Sequence, residues 1–424
     1  MSEKNQIVYD VCIVGAGPGG STSAYHLAKQ GKKILLLEKD KFPRRKICGD
    51  AMFKTIQTHL EKMGLLQEIL DEGHGRWADK GGLVSPRGIT YFGASAKSSK
   101  GSLALSVKRT ILDEKLVRLA QKTGATLVEE YNVGKVKFST LQNHWIINSK
   151  GQKNEPFKAK MLIAADGSTS ALAQSIGIVK NLGENKKNTV CSTVYIEAGT
   201  HRFQQDGVVY YPSELVPGYV SLFREADDSV SYCCYILPGG SCTKKDLSRM
   251  HHEILDNYQP IKDALGPDAN IESMKAAPIR YGMEKRTYAD HFIVLGDAAG
   301  HADPLTGGGI AYAMDAGTIA AEVIAEGFRQ NDLSEEFLTR YQQMCMEKFG
   351  NDHKWSLKMA KFLARHPIFI DAFAAASIKR GDKFMAMWAQ IMCGERPKRH
   401  FFRPILAIPL LKEVIKLKLK KKPH

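Results

Sequence analysis

The sequence predicts an α/β protein with a parallel-sheet domain, an inserted antiparallel-sheet domain and C-terminal helices. An apolar run at residues 8–14 leads into a glycine-rich turn, as expected for a strand buried on both faces of a parallel sheet. Residues 81–92 and 190–276 show the alternation typical of antiparallel strands. After about residue 330 the apolar residues recur with helical spacing. The 424 residues, 43% of them hydrophobic, suffice for one large domain or two to three smaller ones.

The N-terminal elements follow in a characteristic order. The strand at residues 8–14 is followed by the turn GAGPGG at 15–20, a helix at 21–29 and a second apolar strand at 33–37. Glu38 closes the second strand. Strand, glycine turn, helix, strand and acid together predict a Rossmann-like nucleotide site.

Three glycines of this turn each have a physical role in binding a nucleotide. Gly15 permits the tight turn, Gly17 lets the backbone approach a pyrophosphate, and Gly20 allows close packing of helix on strand. The helix N-terminus then presents free N–H groups to the phosphates. Glu38 is placed to accept hydrogen bonds from an adenosine ribose, and its charge argues against the 2′-phosphate of NADP. NAD and FAD both remain open at this point.

Two distant segments favour FAD. The predicted strand at 161–165 leads into Asp166, and the strand at 292–295 leads into Asp297, a candidate ligand for ribityl hydroxyls. Beyond Asp297 a glycine-rich segment begins a long helix, whose N-terminus carries about half a positive charge. Backbone donors there would stabilise a reduced flavin, which is anionic around N1 and O2. The donors predicted from this segment are those of Gly308, Gly309 and Ile310.

These motifs resemble a known family. GAGPGG at 15–20, Arg109, Asp166 and GDAAGHADPLTGGGI at 296–310 are similar to FAD-dependent oxidoreductases with the para-hydroxybenzoate hydroxylase-type fold. The segment FPRRKICGD at 42–50 resembles the FPRxKxCG segment of the geranylgeranyl reductase family. The resemblance implies FAD contacts from Gly19, Glu38, Cys48, Gly49, Ala51, Arg109, Val133, Asp297, Gly309 and Ile310. It also implies that Asp166 orders the fold beside the cofactor, and that Val133 acts through its backbone near the adenine.

Arg109 and Cys48 each have two interpretations. The spacing of Arg109 to Leu112 and Leu116 predicts the exposed start of an amphipathic helix, where the arginine is either solvated or directed at phosphate or ribityl oxygens. Cys48 is either a small packing residue or a catalytic thiol beside the flavin, where a reduced double bond must receive a proton. Neighbouring Arg45 and Lys46 would lower its pKa if they lie close to it.

We divide the chain by these patterns. The predicted FAD-binding domain comprises residues 1–76, 100–185 and 278–328, the antiparallel-sheet substrate domain comprises 77–99 and 186–277, and the helical C-terminal region with its basic tail comprises 329–424. Within the substrate domain, GYVSLFREADDSVSYCCYIL predicts a hairpin turning at residues 226–228. Tyr219 and Phe223 alternate onto one face of it, where they either bind substrate or pack in the sheet.

The composition restricts which binding partners and which cellular compartment are expected for the protein. Eight cysteines without CxxC pairs or zinc-type spacing predict no metal site and a reduced, cytoplasmic compartment. A formal net charge of +15 favours an anionic partner, but the sequence shows no nucleic-acid-binding module. Large apolar residues mixed with Lys and Arg at 396–424 predict a helix lying on an anionic membrane, with a solvated helix and lysine tail as the alternative. No signal peptide or membrane-spanning run is present, which predicts a soluble protein or one peripheral to the inner face of the membrane.

The resemblance implies reduction of carbon–carbon double bonds in an isoprenoid or other hydrophobic, lipid-like substrate. The family's YxWxFP pattern is represented here only by Tyr219, Ser221, Phe223 and Arg224, so the identity of the substrate stays open. An FAD-dependent monooxygenase acting on an aromatic or lipid substrate is the second hypothesis, and a non-catalytic flavin electron-transfer component at the membrane is the third. The electron donor is either NAD(P)H or a reduced ferredoxin or flavodoxin, and the oligomeric state is open.

Overall fold

The computed structural model describes residues 7–94, 103–151, 155–184 and 187–419. Residues 420–424 at the end of the predicted basic segment therefore lie outside the described residues, as do residues 95–99 and 186 of the predicted substrate domain and 1–6, 100–102, 152–154 and 185 of the predicted FAD-binding domain. The described part contains the strands β1 (Val8–Val14), β2 (Ile34–Leu37), β3 (Ala51–Phe53), β4 (Arg76–Trp77), β5 (Lys80–Val84), β6 (Thr90–Ala94), β7 (Ala104–Ser106), β8 (Thr126–Val128), β9 (Val133–Ser139), β10 (His144–Ser149), β11 (Phe157–Ala164), β12 (Asn188–Ile196), β13 (Gly207–Tyr210), β14 (Tyr219–Arg224), β15 (Val230–Ile236), β16 (Lys275–Arg280), β17 (Tyr288–Ala289) and β18 (Phe292–Val294).

The helices lie between these strands and after them. They are α1 (Pro18–Lys29), α2 (Lys54–Lys62), α3 (Leu65–Asp71), α4 (Arg109–Lys122), α5 (Ala171–Ser175), α6 (Leu247–Asn257), α7 (Gln259–Leu265), α8 (Ile310–Gln330), α9 (Glu335–Cys345), α10 (Asn351–Arg365), α11 (Ile368–Arg380), α12 (Asp382–Met392) and α13 (Pro404–Leu419). A π-helical turn at Met346–Gly350 joins α9 to α10, and a 3₁₀ turn at Lys398–Phe402 precedes α13.

An eight-stranded sheet forms the first layer of the fold. Its main path runs β17, β18, β11, β1, β2 and β8, with β9 and β10 attached through β11. The pairs that join β18, β11, β1, β2 and β8 are all parallel. The apolar residues of this sheet pack on α1, α4 and α8 on one face. The α/β class and the buried parallel strand at residues 8–14 are confirmed.

A seven-stranded sheet in the order β16, β12, β15, β14, β13, β5, β6 forms the second layer. Its pairs are antiparallel except for β13 with β5, which run parallel. The predicted hairpin is confirmed as β14 and β15, with the turn between Arg224 and Val230. A separate three-stranded sheet of β3, β7 and β4 was not predicted, because strands this short show no measurable alternation.

Several elements differ from the sequence prediction. The range 190–276, predicted as antiparallel strands, also contains the helices α6 and α7, and β2 and β18 are each one residue shorter than predicted. Helix α1 begins at Pro18 rather than at residue 21, because proline suits the first helical position and Gly17 serves as the N-cap. Strand β11 begins at Phe157 rather than at residue 161, because its first residues pair with the antiparallel strand β10 and need not be continuously apolar.

The helices α10 to α13 cover one end of the seven-stranded sheet. They share an apolar cluster with Leu83 of β5 and Tyr211, which follows β13. Helices α11 and α13 pack against each other, and α11 also contacts β6. The helical C-terminal region is therefore part of the folded body, while the predicted domain boundaries stay a prediction. No helix among the described residues has both the length and the apolar content to cross a bilayer.

Candidate active site at the junction of two cavities

Two cavities of different character meet inside the molecule. A polar cavity of about 490 Å³ lies where β1, β2, β11 and β18 end. An apolar cavity of about 290 Å³ lies between the seven-stranded sheet, β3 and α12. The carboxyl ends of parallel strands are the usual position of nucleotide sites in open α/β sheets.

The glycine turn forms the floor of the polar cavity. Gly15 has a φ of +102°, and a Cβ there would lie 2.3 Å from the carbonyl oxygen of Ala165. A Cβ on Gly20 would lie 1.9 Å from the carbonyl oxygen of Gly15, so only glycine allows α1 to approach the strand this closely. Gly17 differs, because the nearest atom to its Cβ would be Arg44 Nη2 at 3.9 Å. The space beside Gly17 is therefore open to a ligand.

The remaining predicted groups at this turn line the same cavity. Gly19 packs against Leu295, whose Cδ1 would lie 2.6 Å from a Cβ at this position. Gly17 caps α1 without a side-chain hydrogen bond, so the first N–H groups of the helix have no partner within the helix. Glu38 is buried and accepts hydrogen bonds from the N–H groups of Ala16 at 3.0 Å and Lys39 at 3.1 Å. Glu38 therefore holds the turn together as well as facing the cavity.

Basic side chains balance the acids of the polar cavity. Arg44, Arg45, Lys46 and Arg109 all line it. Within the described part of the chain, Arg44 Nε and Arg45 Nη2 are buried without a hydrogen-bond partner. The prediction did not assign Arg44 to the site, although the basic run FPRRK beside the cysteine was the available signal. Unpaired guanidinium donors near a helix N-terminus suit a diphosphate.

The prediction that Arg109 is exposed is wrong. Only 3% of its surface is accessible, and its Nε and Nη2 each donate to the Asp113 carboxylate at 2.8 Å. Arg44 Nη1 also donates to Asp113, at 3.1 Å. An acid one helical turn further on neutralises the arginine and allows its burial. Arg109 lines the polar cavity, but its planar fork is committed to Asp113.

The second set of predicted cofactor-binding residues includes two acids that follow the ends of β11 and β18. Asp166 accepts from Ser170 Oγ at 2.7 Å and from the Leu172 N–H at 3.1 Å, and burial raises its pKa. These bonds hold the start of α5. Asp297 accepts from Ser168 Oγ at 3.3 Å and lines the polar cavity. Val133 begins β9 at the edge of the same cavity.

The N-terminus of α8 faces both cavities. Gly309 is its N-cap without a side-chain hydrogen bond, so Ile310 begins the helix with an N–H group that has no partner within the helix. Gly308 differs from this prediction, because its N–H donates to Thr306 Oγ1 at 3.3 Å and it lines only the apolar cavity. Two of the three predicted donors therefore lie where the cavities meet.

Among the described residues, five line both cavities and define the junction. They are Cys48, Tyr235, Gly307, Gly309 and Ile310. Gly49 and Ala51 line only the apolar cavity, and a Cβ on Gly49 would lie 2.7 Å from Tyr235 Oη. Tyr235 and Gly307 were not predicted. Strand β15 is buried along its whole length and shows no alternation from which the face of Tyr235 could be identified.

The lowering influence expected of Lys46 on the pKa of Cys48 is present but does not decide the direction of the shift. Burial raises the pKa of the Cys48 thiol, and this effect exceeds the opposing influence of Arg109 and Lys46. Arg45 Nη1 pairs with Glu272 at 2.6 Å. Cys48 is therefore a neutral thiol at neutral pH, suited to donate a proton rather than to act as a thiolate nucleophile.

A pair of buried acids lies behind the junction. Asp50 accepts from the Arg109 N–H at 3.0 Å and from Tyr195 Oη at 2.6 Å. Glu225 accepts from Ser106 Oγ at 2.8 Å. Burial raises the pKa of Asp50 to about 6, and burial together with the charge of Asp50 raises that of Glu225 well above its usual value. Sequence reasoning identified neither acid.

The apolar cavity extends away from this junction. Tyr219 and Phe223 of β14 both line it, so the structure places the two predicted substrate residues at one cavity wall. The Tyr219 ring stacks on Tyr235 with centroids 4.8 Å apart, and its hydroxyl donates to the Thr306 carbonyl at 2.5 Å. The opposite side is formed by residues of α12, namely Asp382, Met385, Ala386, Trp388, Ala389 and Met392.

The residues present fit FAD. The open space at Gly17 and the unpaired guanidinium nitrogens suit a diphosphate, and Glu38 and Asp297 contribute carboxylates to the lining of the same cavity. The α8 N-terminus meets the apolar cavity, where an isoalloxazine ring and a hydrophobic substrate would come together.

Comparisons with known proteins agree with this geometry. Residues 8–348 match the model of the FAD binding domain family. The chain is 43% identical over 414 residues to conditioned medium factor receptor 1 of Dictyostelium discoideum, covering 95% of this chain and 80% of that protein. It is 32% identical to digeranylgeranylglycerophospholipid reductase of Methanococcus vannielii, covering 83% and 87% of the two chains.

A solved structure shows the same fold. The crystal structure of a geranylgeranyl bacteriochlorophyll reductase-like protein from Thermoplasma acidophilum superposes with a TM-score of 0.76 at 21% identity, over 97% of this chain and 100% of that one. The chain therefore belongs to the geranylgeranyl reductase family of FAD-dependent oxidoreductases and is an enzyme with FAD as its cofactor.

Proposed function

We propose that the enzyme reduces carbon–carbon double bonds of an isoprenoid or other lipid-like substrate held in the apolar cavity. The observation that carries this proposal is the opening of the apolar cavity onto the flavin site at Cys48 and Tyr235. A mostly apolar lining suits a hydrocarbon chain, because burying it there removes apolar surface from water. Relatives named as digeranylgeranylglycerophospholipid reductases support the same chemistry.

Reduction of a double bond requires a hydride at one carbon and a proton at the other. FAD, when bound and reduced, supplies the hydride. The protein's own contribution is to orient the chain, to exclude water and to provide the proton. The neutral Cys48 thiol lines both cavities, which makes it the proposed proton donor. The N–H groups at Gly309 and Ile310 would stabilise negative charge on the cofactor.

The direct test is an anaerobic assay of chemically reduced holoenzyme with a geranylgeranyl-bearing phospholipid. Mass spectrometry should show a product that gains two hydrogen atoms for each bond reduced. A product that forms only with O₂ and gains oxygen would instead establish a monooxygenase. Absence of any product from isoprenoid lipids, with flavin that reduces and reoxidises normally, would contradict the proposal.

A second test addresses Cys48. Replacing it with alanine should lower the rate of double-bond reduction by about 10² to 10⁴, the usual contribution of a positioned general acid. FAD content and the rate of chemical flavin reduction should stay unchanged. Cys48→Ser should recover part of the rate, since a hydroxyl can occupy the same position and donate weakly. Full activity in Cys48→Ala would exclude the thiol as the proton donor.

A further inference from the structure

The last helix, α13, carries an apolar strip on its solvent side. Its exposed residues include Ile405, Ile408, Leu411, Ile415 and Leu419, each between 51% and 78% accessible. Their spacing of three or four residues places them along one face of a helix. Scattered apolar side chains are normal on protein surfaces, but a continuous strip of this length marks an interaction site.

The opposite face of α13 is fixed to the protein. Leu406, Leu410 and Val414 are buried in the cluster that α13 shares with α11 and α12. Glu413, also buried, accepts from Lys379 of α11 at 2.7 Å. The helix therefore cannot rotate to bury its apolar strip, and the strip has no partner among the described residues.

Basic side chains flank this strip. Lys412, Lys416 and Lys418 lie on α13 itself, and Arg399 and Arg403 lie immediately before it. The acid of α13, Glu413, is neutralised by its ion pairs with lysines. The exposed side of the helix thus combines large aliphatic side chains with a net positive charge. Such a surface is complementary to the interface of an anionic lipid bilayer, where charged headgroups meet acyl chains.

Aromatic residues extend the surface beyond α13. Phe402 is 64% exposed, and its ring lies 5.8 Å from that of the partly exposed Trp355 on α10. Phe401, the residue before it, packs on Trp388 with centroids 4.8 Å apart, and Trp388 lines the apolar cavity. The residue next to Phe402 in the chain therefore contacts a side chain that lines the cavity.

We propose that this face of α13, together with Phe402 and Trp355, lies on an anionic lipid bilayer. A second copy of the chain fits less well, because a two-fold pairing of the strips would bring the flanking lysines together. An anionic bilayer would bury the aliphatic side chains of the strip among its acyl chains and would attract the flanking basic side chains to its headgroups. The proposal goes beyond the reaction and does not require it, although a docked enzyme would draw a lipid substrate directly from the membrane.

The test is flotation of full-length holoprotein with vesicles of phosphatidylcholine containing phosphatidylglycerol, compared with vesicles of phosphatidylcholine alone. We expect clear binding to the anionic vesicles, weakened at high salt because exposed charges are screened. The double variant Ile408→Asp, Leu411→Asp should lose at least tenfold in partitioning. Lys412→Gln and Lys418→Gln should each reduce it about fivefold, from roughly 1 kcal/mol per basic residue near the surface. No lipid substrate is present, so this result is independent of the reductase assay.

A matched control is available in the turn between β9 and β10, which belongs to the eight-stranded sheet. Leu141, in the turn between β9 and β10, is 98% exposed, and Leu141→Asp should bind vesicles like the wild type. Unfolding curves and FAD content of all variants should match, since the altered side chains are exposed. Binding of the double variant equal to that of the wild type would overturn the proposal. So would a dimer in solution that the double variant converts to a monomer, because the strip would then be an interface between copies.

Discussion

The polar and apolar cavities share a wall at Cys48 and are built in different ways. The polar cavity depends on backbone groups and charges that follow the ends of neighbouring strands, as at Gly17 after β1 and Asp297 after β18. The apolar cavity is enclosed by side chains from elements far apart in the sequence, such as Tyr219 and Trp388. Such a contrast suits a constant cofactor and a substrate that differs among relatives.

The largest expected effect comes from breaking the buried ion pair between the loop before α8 and the C-terminal helical region. Lys398 and Asp303 are both fully buried, with Nζ 3.2 Å from Oδ2. Burial alone would raise the pKa of Asp303, but the Lys398 ammonium holds it below its usual value. Asp303 also accepts from the N–H groups of Leu305 and Thr306, so the pair holds the loop before α8 against the C-terminal helices.

Lys398→Met should therefore lower the free energy of unfolding by about 3–5 kcal/mol, because it leaves a buried carboxylate unpaired. Urea unfolding measures this change, and FAD retention should fall in parallel. Adding Asp303→Asn should restore part of the loss, since a buried pair replaced by neutral groups is often tolerated. A single variant within about 1 kcal/mol of the wild type would show that the pair does not hold the two regions together.

The next effect should be confined to the polar cavity. Gly17→Val places a side chain in the space proposed for the cofactor, while the φ of −73° at Gly17 accommodates any residue. Overfilling a close-packed site costs about 1–3 kcal/mol, so the affinity for FAD should fall roughly 5- to 150-fold. Titration of apoprotein with FAD, followed by flavin fluorescence, measures it.

Gly17→Ala provides the graded comparison for this variant. It should fall between the wild type and valine, and the binding of a hydrophobic probe in the apolar cavity should persist in both. An equal loss of probe binding would mean that the cavities are not independent. Unchanged FAD affinity in Gly17→Val would place the cofactor elsewhere.

Asp50, which lies behind the residues shared by the two cavities, should make the stability of the protein depend on pH. The pKa of Asp50 is raised by burial to about 6, so the folded state holds this proton more tightly than the unfolded chain. The associated stability is fully present below the ordinary carboxyl pKa of 3.8 and is lost as the pH rises through about 6. Asp50→Asn cannot ionise, so between pH 4 and 7 its stability should decline less than that of the wild type, by about 2 kcal/mol.

Urea unfolding of both proteins at several pH values measures this difference. Glu225 is present in both proteins, so the difference between their curves reflects Asp50 and its electrostatic coupling to Glu225. Parallel stability curves across this range would show that Asp50 is not the group whose proton the fold retains.

The different construction of the two cavities explains which site residues could be predicted from the sequence. The glycine turn and Glu38 could be predicted because their conformations are set by local backbone requirements, such as the positive φ of Gly15. The burial of Arg109 could not, because it depends on Asp113 and on Arg44 from another segment. The cavity lining by α12 could not either, because an amphipathic pattern shows that a helix has a buried face without identifying what that face covers.

The smallest expected effect is confined to the apolar cavity. Ala389 of α12 lines it, so Ala389→Trp should shorten the space available to a long hydrocarbon chain. We expect about a tenfold loss of kcat/KM for a geranylgeranyl lipid, within the range for altered apolar packing, and a smaller loss for a short prenyl chain. Gln390→Trp is the matched control, because Gln390 neighbours this position in α12 but does not line the cavity. If both tryptophan variants reduced long and short substrates equally well, the hydrocarbon chain of the substrate would bind outside this cavity. The assignment of the apolar cavity as the substrate site would then be wrong.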